Sequence, residues 1–573
     1  MNRIKSIALM IFRSKNTFIF YDFAKENRYF FLVIAFALFL QYIEVIGLYL
    51  GNINSTIVNP FIQRIWGWLF LYGTCLLTGR RIAQILISLL LILQGILVVF
   101  SFFLSLKFSL PLDGDAFLVL AESSPREALE FCSAFLDLKL LLGIFLYLSL
   151  LIAAVCLLWK STLKRKIPLF VIALLFMLPQ LINTVRFSIR GDYDDIYDKN
   201  SLSMLIVNLS TLHKDHAKLI NMARKPELPT GIRHATPNEK FLAVLVIGES
   251  ATRFHHSIYG YPRCTSPEME RRRNELLIYD DVISGYAHTV QALRYLLTTE
   301  EIANKNDFRY SMFDVFKAAG FRILFYSNQS RWGKYDTPIT LMTTHADERC
   351  YLQELQSGAY DDLCLKDLQK HTTELKSPTL LVFHLYGSHG RYYKRTPASE
   401  KVFHEKNRCP SPYEIDDIAE IDEYDNSIRF TDLLLGKILV KLNELQYPAF
   451  FLYVSDHGEC PEKIHRSPRA GSSTVPEVYE IPFVLYTNPK YREKYPFFMI
   501  SAAANQHKSY QTDWAMYAFF SAARITFEQF PYEKDIFSDK FVPPEKRFLG
   551  SSNVEYHSRK SPFQTMRKTV ENK

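Results

Sequence analysis

The chain lacks internal repeats and low-complexity tracts, and only 22 glycines and 26 prolines are spread over its 573 residues. Collagen-like and other repetitive architectures are therefore excluded. It also lacks a large charge imbalance. The 67 Lys plus Arg against 59 Asp plus Glu leave +8, so the location of the surplus matters more than its size, and no nucleic-acid partner is expected. Apolar residues are abundant: 48% hydrophobic and 14% aromatic residues exclude disorder and imply a large buried core.

That apolar content is uneven. Five runs in the first third approach the ~20 residues that a bilayer core demands: residues 30–50, 57–77, 82–106, 138–159 and 167–185. The second carries Arg64, which near an end of a span can snorkel. Short cytoplasmic loops retain Lys and Arg. Arg3, Lys5, Arg13, Lys15, Lys25 and Arg28 precede the first run, Arg80 and Arg81 follow the second, and Lys160, Lys164, Arg165 and Lys166 follow the fourth. The connection 51–58 has no basic residue, and 107–137 is rich in Asp and Glu. Five spans with the N-terminus inside place everything after Val185 outside the cytoplasm, with the first run as an uncleaved anchor.

Residues 1–185 thus read as a transmembrane domain and 186–236 as a membrane-proximal connector. In the connector, Leu202, Leu205, Ile206, Leu209 and Leu212 recur at helical spacing before Pro226, Pro229 and Gly231. From 237 to 573, short β-rich runs at 241–247, 321–326, 379–385, 449–454 and 481–486 alternate with helical patterns, as strands buried on both faces of a mostly parallel sheet do. The fold class expected is α/β, an α/β/α exported domain behind five membrane helices. Cys264, Cys350, Cys364, Cys409 and Cys460 fall in that domain, where an oxidising compartment permits disulfides, and Cys350 with Cys364 is the most economical pair.

Ligands of open α/β sheets bind beyond the carboxyl ends of the strands. The first run ends in Glu249, a suitable metal ligand, though helix caps and ion pairs use such carboxylates equally. The fourth ends in Asp456, His457, Gly458 and Glu459, where one oxygen and one imidazole suit zinc, although Asp-His-Gly also occurs in ordinary turns. The third run continues through His384 to His389; inside the apolar run, His384 reads better as a structural histidine. Thr289 opens the helical pattern of Val290, Leu293, Leu296 and Leu297. It reads either as a plain cap or as a hydroxyl held at a helix N-terminus for attack on a phosphate.

Together, Gly248-Glu249-Ser250-Ala251-Thr252-Arg253, the stretch from Ser257 to Pro267, His288-Thr289, Gly387-Ser388-His389, Tyr424-Asp425-Asn426, Ser455 to Glu459, and His465 resemble the signature of the bacterial phosphoethanolamine transferases. These are inner-membrane enzymes of the alkaline phosphatase and sulfatase superfamily that modify lipopolysaccharide. The resemblance implies zinc held by Glu249, Thr289, Asp456 and His457, with Thr289 the nucleophile. It implies that His389 and His465 contact the transferred group or a second metal, and that Glu122 belongs to a lipid-binding segment. Phosphatidylethanolamine is the implied donor and lipopolysaccharide, at core heptose or lipid A, the implied acceptor. The spacing from Asp456 to His465 and the ending Arg547-Phe548-Leu549-Gly550 resemble the core-heptose branch more. A membrane-embedded monomer with its catalytic domain in the periplasm is expected.

Three alternatives stand beside this reading. A sulfatase needs Cys or Ser followed by Pro two and Arg four residues later, and Cys264-Thr265-Ser266-Pro267-Glu268 lacks that pattern. A phosphoglycerol transferase shares the architecture and a threonine nucleophile, but its motifs fit less well. A non-enzymatic envelope protein of this fold would lack one of Glu249, Thr289, Asp456 and His457, and all four are present.

Overall fold

The computed structural model describes residues 25–50, 58–108, 138–161, 170–179, 182, 220, 225–303, 308–329, 341–356, 358–404, 418–462, 475–550 and 554–557. The chain divides into two compact units, Met1–Leu212 and His213–Lys573. Most of the amphipathic connector, Glu122 and His465 lie outside the described residues.

In the first unit, long apolar runs rich in Leu, Ile and Phe, interrupted by Glu44 and Arg64, give helices α1 (Arg28–Leu50), α2 (Val58–Leu76), α3 (Arg80–Phe108) and α4 (Leu138–Lys160). Residues 170–179 are also helical. Two described stretches, Arg80–Leu104 and Leu140–Lys160, are long and apolar enough to cross a membrane; Arg28–Ile43, Ile65–Leu76 and Phe170–Pro179 are shorter apolar segments. Leu142, Phe145, Leu146 and Ile152 of α4 are exposed, an apolar surface suited to lipid. The buried Gln94 of α3 is bonded across helices instead: it donates to the Ala37 carbonyl of α1 at 2.9 Å and accepts from Tyr72 of α2.

The second unit is built on a seven-stranded sheet. Its strands are β1 (Leu242–Gly248), β2 (Leu276–Tyr279), β3 (Arg322–Ser327), β4 (Glu348–Tyr351), β5 (Thr379–His384), β6 (Ala449–Ser455) and β7 (Phe483–Thr487), in the order β2-β7-β6-β1-β5-β3-β4. The five strands from β6 to β4 pair in parallel, while β7 runs antiparallel to both β6 and β2. All five sequence-expected runs are strands.

Alternation along each strand feeds two cores. Ala243, Leu245, Ile247, Val382, Leu452 and Val454 join one, and Leu242, Val244, Val246, Phe383, Phe451 and Tyr453 join the other. β1 is buried throughout, as a central strand covered on both faces must be. The central register pairs Gly248 with Ser455 and Ile247 with His384. Three strands therefore end level with one another, and whatever follows them meets at one edge. Cys350 and Cys364 are both free thiols, which corrects the expected pairing; both pack against the second core instead.

Candidate metal and nucleophile site

Because Gly248 and Ser455 are register partners, the residues after them, Glu249 and Asp456, emerge side by side. Ser250 turns the chain immediately, with φ +56°, a left-handed conformation that a residue with a Cβ adopts at a cost of about 1–2 kcal/mol. The turn is held on several sides. The Ser250 N–H donates to Asp456 Oδ1 at 2.9 Å, its hydroxyl donates to Glu249 Oε1 at 2.8 Å, and its carbonyl accepts from the Tyr424 hydroxyl at 2.8 Å.

Glu249, Asp456 and His457 are all buried and offer ligand atoms within 4.8 Å of one another. The His457 Nδ1 lies 2.7 Å from the Gly458 carbonyl, which can only accept, so Nδ1 carries the proton and Nε2 turns its lone pair inward. That Nε2 lies 3.5 Å from both Glu249 Oε1 and Asp456 Oδ2. Asp456 Oδ1 accepts from the N–H groups of Ser250 and His457, whereas Oδ2 has no hydrogen-bond partner among the described residues. Burial first, and the Glu249 carboxylate second, push the Asp456 carboxyl up to about 7, against the opposing pull of His457. Two buried carboxylates converging with an imidazole lone pair repel one another, and a cation between them removes that repulsion. Two oxygens and one nitrogen fit zinc.

Thr289 completes the cluster. It is the first residue of helix α5 (Thr289–Leu297), with His288 in extended conformation before it. The hydroxyl lies 3.1 Å from both Glu249 oxygens. Thr289 thus occupies the first turn, the position its hydrophobic spacing indicates.

The structure brings Glu249, Thr289, Asp456 and His457 together, and places the turn carrying His389 against them. Ser388 N–H donates to the Glu249 carbonyl at 2.9 Å, and Gly387, at φ +46°, sits so close that a Cβ would lie 2.8 Å from that oxygen. His389 itself is partly exposed. His384 is a structural histidine as read, buried, its Nδ1 3.1 Å from the Ser327 hydroxyl; burial lowers its pKa to about 4.

Sequence reasoning missed Gln329. Its Nε2 donates to Glu249 Oε2 at 2.8 Å and to the Leu385 carbonyl at 3.2 Å, fixing the carboxylate from the side opposite Ser250. The signal existed: Gln329 follows the carboxyl end of β3, the same edge as the other three groups.

Residues 242–522 match the Sulfatase family model. The phosphoethanolamine transferase EptC of Escherichia coli K12 is 26% identical over 294 residues, 49% of this chain and 50% of that protein. The chain thus spans about half the length of the curated relatives it matches first. Among solved structures, the integral membrane protein lipooligosaccharide phosphoethanolamine transferase A of Neisseria meningitidis superposes with TM-score 0.65 at 17% identity, covering 90% of this chain and 99% of that one. The C-terminal periplasmic domain of E. coli EptC, in complex with Zn, superposes at 0.52 and 23% identity over 56% of this chain and 92% of that domain. These likenesses show the fold: an alkaline phosphatase-like α/β domain behind an N-terminal helical region like that of the neisserial membrane protein.

Proposed function

We propose that this chain, whose residues 242–522 are a sulfatase-family domain, is a zinc-dependent phosphoethanolamine transferase. On this reading it moves phosphoethanolamine from phosphatidylethanolamine to lipopolysaccharide at the periplasmic face of a bacterial inner membrane. The carrying observation is the convergence of Thr289 with three buried metal donors: its hydroxyl is bonded to Glu249, and Glu249 faces Asp456 and His457. The resemblance of the motifs and the relatives named above supply the transferred group.

Zinc held by Glu249, Asp456 and His457, when bound, lowers the pKa of a coordinated hydroxyl and offsets negative charge on phosphate. Thr289 Oγ1 then attacks the phosphorus in line: the Oγ1–P bond forms, the P–O bond to diacylglycerol breaks, and the threonine proton ends on the departing diacylglycerol oxygen. Thr289 is the first residue of α5, and a helix N-terminus favours the phosphate anion. In the second step an acceptor oxygen attacks, the Oγ1–P bond breaks, and the proton of the acceptor returns to Thr289. His389 or His465 handles that proton or stabilises the charge, and Glu122 takes part in lipid binding, by resemblance. The five-span anchor, the three-part division at residues 185 and 236, and the monomeric state belong to the same proposal. Anchoring keeps the site at the surface that holds both lipids.

Mass spectrometry of lipid A and of core oligosaccharide, taken separately from a Gram-negative host expressing wild type or Thr289→Ala, tests this reading. A phosphoethanolamine increment on one fraction, absent with the variant, is expected. No increment on either, from folded and zinc-loaded protein, would remove lipopolysaccharide as the acceptor.

A further inference from the structure

The turn 386–390, which carries His389 and rests on Glu249, is gripped by two charged side chains that the reaction scheme leaves unused. Asp361 opens the short 3-10 helix Asp361–Leu365 and is only 4% exposed. It accepts the backbone N–H of Tyr386 on Oδ1 at 2.8 Å and that of Gly387 on Oδ2 at 2.9 Å. Its Oδ1 also accepts from Asn328 Nδ2 at 2.8 Å, and Asn328 immediately precedes Gln329. On the trailing side, Arg395 donates from Nε to the His389 carbonyl and from Nη2 to the Gly390 carbonyl, each at 2.8 Å. The same guanidinium lies 3.9 Å from the centre of the Tyr386 ring. A carboxylate thus takes the leading N–H groups of the turn and a guanidinium its trailing carbonyls.

This grip reaches the site by two routes. One runs from Asp361 through Asn328 to Gln329, whose amide donates to Glu249 Oε2 at 2.8 Å. The other runs through Gly387 and Ser388 to the Glu249 backbone. Burying a carboxylate so far from water is costly unless its oxygens meet donors, and three N–H groups meet these. We propose that Asp361 is a positioning residue for the transfer site, setting the orientation of the Glu249 carboxylate and the placement of His389 without touching the reacting atoms. The proposal rests on the function given above. Asp361→Asn keeps the size of the side chain but turns an acceptor oxygen into a donor facing N–H groups, so the turn must shift.

Zinc affinity by competition with a chromophoric chelator, kcat and KM for phosphatidylethanolamine, and the melting temperature are measured on the full-length protein in detergent. The comparison is among wild type, Asp361→Asn and Asp362→Asn, the last altering an exposed neighbour. Outer-layer partners of metal ligands typically govern affinity or activity by 10–100-fold. Asp361→Asn is expected to weaken zinc binding about tenfold and to lower kcat about 10–100-fold, with KM within about threefold. Asp362→Asn is expected to match wild type. Should Asp361→Asn fail to fold, Arg395→Lys, which releases the other side of the turn, is expected to show the same split of kcat from KM. Unchanged zinc affinity and kcat overturn the proposal. So does an equal kcat loss in Leu442→Ala, a buried core change outside the turn, at a matched fall in melting temperature. A wild-type protein that binds no zinc and transfers nothing overturns the functional reading, and this inference with it; that result appears in the wild-type measurements themselves.

Discussion

At the scale of single residues, the site depends on backbone approaches that leave no room for a side chain. A Cβ at Gly458 would lie 2.1 Å from the Glu477 carbonyl oxygen, a main-chain atom that cannot swing aside. The Gly458 N–H also donates to the Val478 carbonyl at 2.8 Å, so the segment carrying Asp456 and His457 after β6 is tied there to the next segment. Gly458→Ala is therefore expected to destabilise the domain by about 1–3 kcal/mol and to weaken zinc binding, read by thermal melting and chelator competition. Gln329→Ala, which removes the amide donor to Glu249 and little packing, is expected to leave melting near wild type while lowering zinc affinity about tenfold. The candidate donors Glu249, Asp456 and His457 were legible in the sequence because they follow buried apolar runs. The need for glycine at 458 was legible only as a break in alternation, since its cause, the Glu477 carbonyl, lies 19 positions away. Gln329 was hidden for a plainer reason: an amide after a strand has no chemistry of its own until a carboxylate stands beside it.

At the scale of elements, a buried ion cluster fastens the segment after the candidate metal donors. His255 lies with Nδ1 2.6 Å from Asp425, on helix α6 (Ile418–Asn443), and Nε2 2.9 Å from Glu462, while Arg263 pairs with Asp425 and Asp422 of the same helix. Burial alone would lower the His255 pKa, but the Glu462 and Asp425 carboxylates outweigh it and raise it from 6.5 to about 10. The folded state therefore keeps a proton that the unfolded chain releases above its ordinary value. The stabilisation is complete below about pH 6.5 and is lost as pH rises through about 10. Melting temperature is expected to fall across that window in wild type and to fall less steeply in His255→Gln, which starts lower. An equally steep fall in the variant would assign the slope to other groups. Five of the seven strands and the parallel pairing of the central ones were legible from short β-rich runs, and α5 from its spacing, whereas β2, β4 and the antiparallel direction of β7 were not. The cluster was not, because His255, Asp425 and Glu462 come from three separated stretches that only the fold brings together.

At the scale of the whole molecule, an apolar N-terminal unit and an α/β unit share one chain, and each was legible from composition alone: long uncharged runs first, alternating short strands after. The span count rests on the five apolar runs and the orientation on charge patterning between them, and parts of those connections lie outside the described residues. The division of labour has a consequence for metal removal. The α/β unit carries its own two cores, so stripping zinc is expected to abolish transfer while leaving the fold intact, with activity restored on adding zinc back. Loss of circular dichroism together with activity would instead make the metal structural.

The most direct test of the central claim is peptide mass spectrometry of the purified, zinc-loaded chain after incubation with phosphatidylethanolamine and acid quench. A phosphoethanolamine adduct on the peptide containing Thr289, absent after chelation and in Glu249→Gln, is the expected result. Release of diacylglycerol with the adduct on another residue, or with no adduct on any residue at the earliest times sampled, would contradict it.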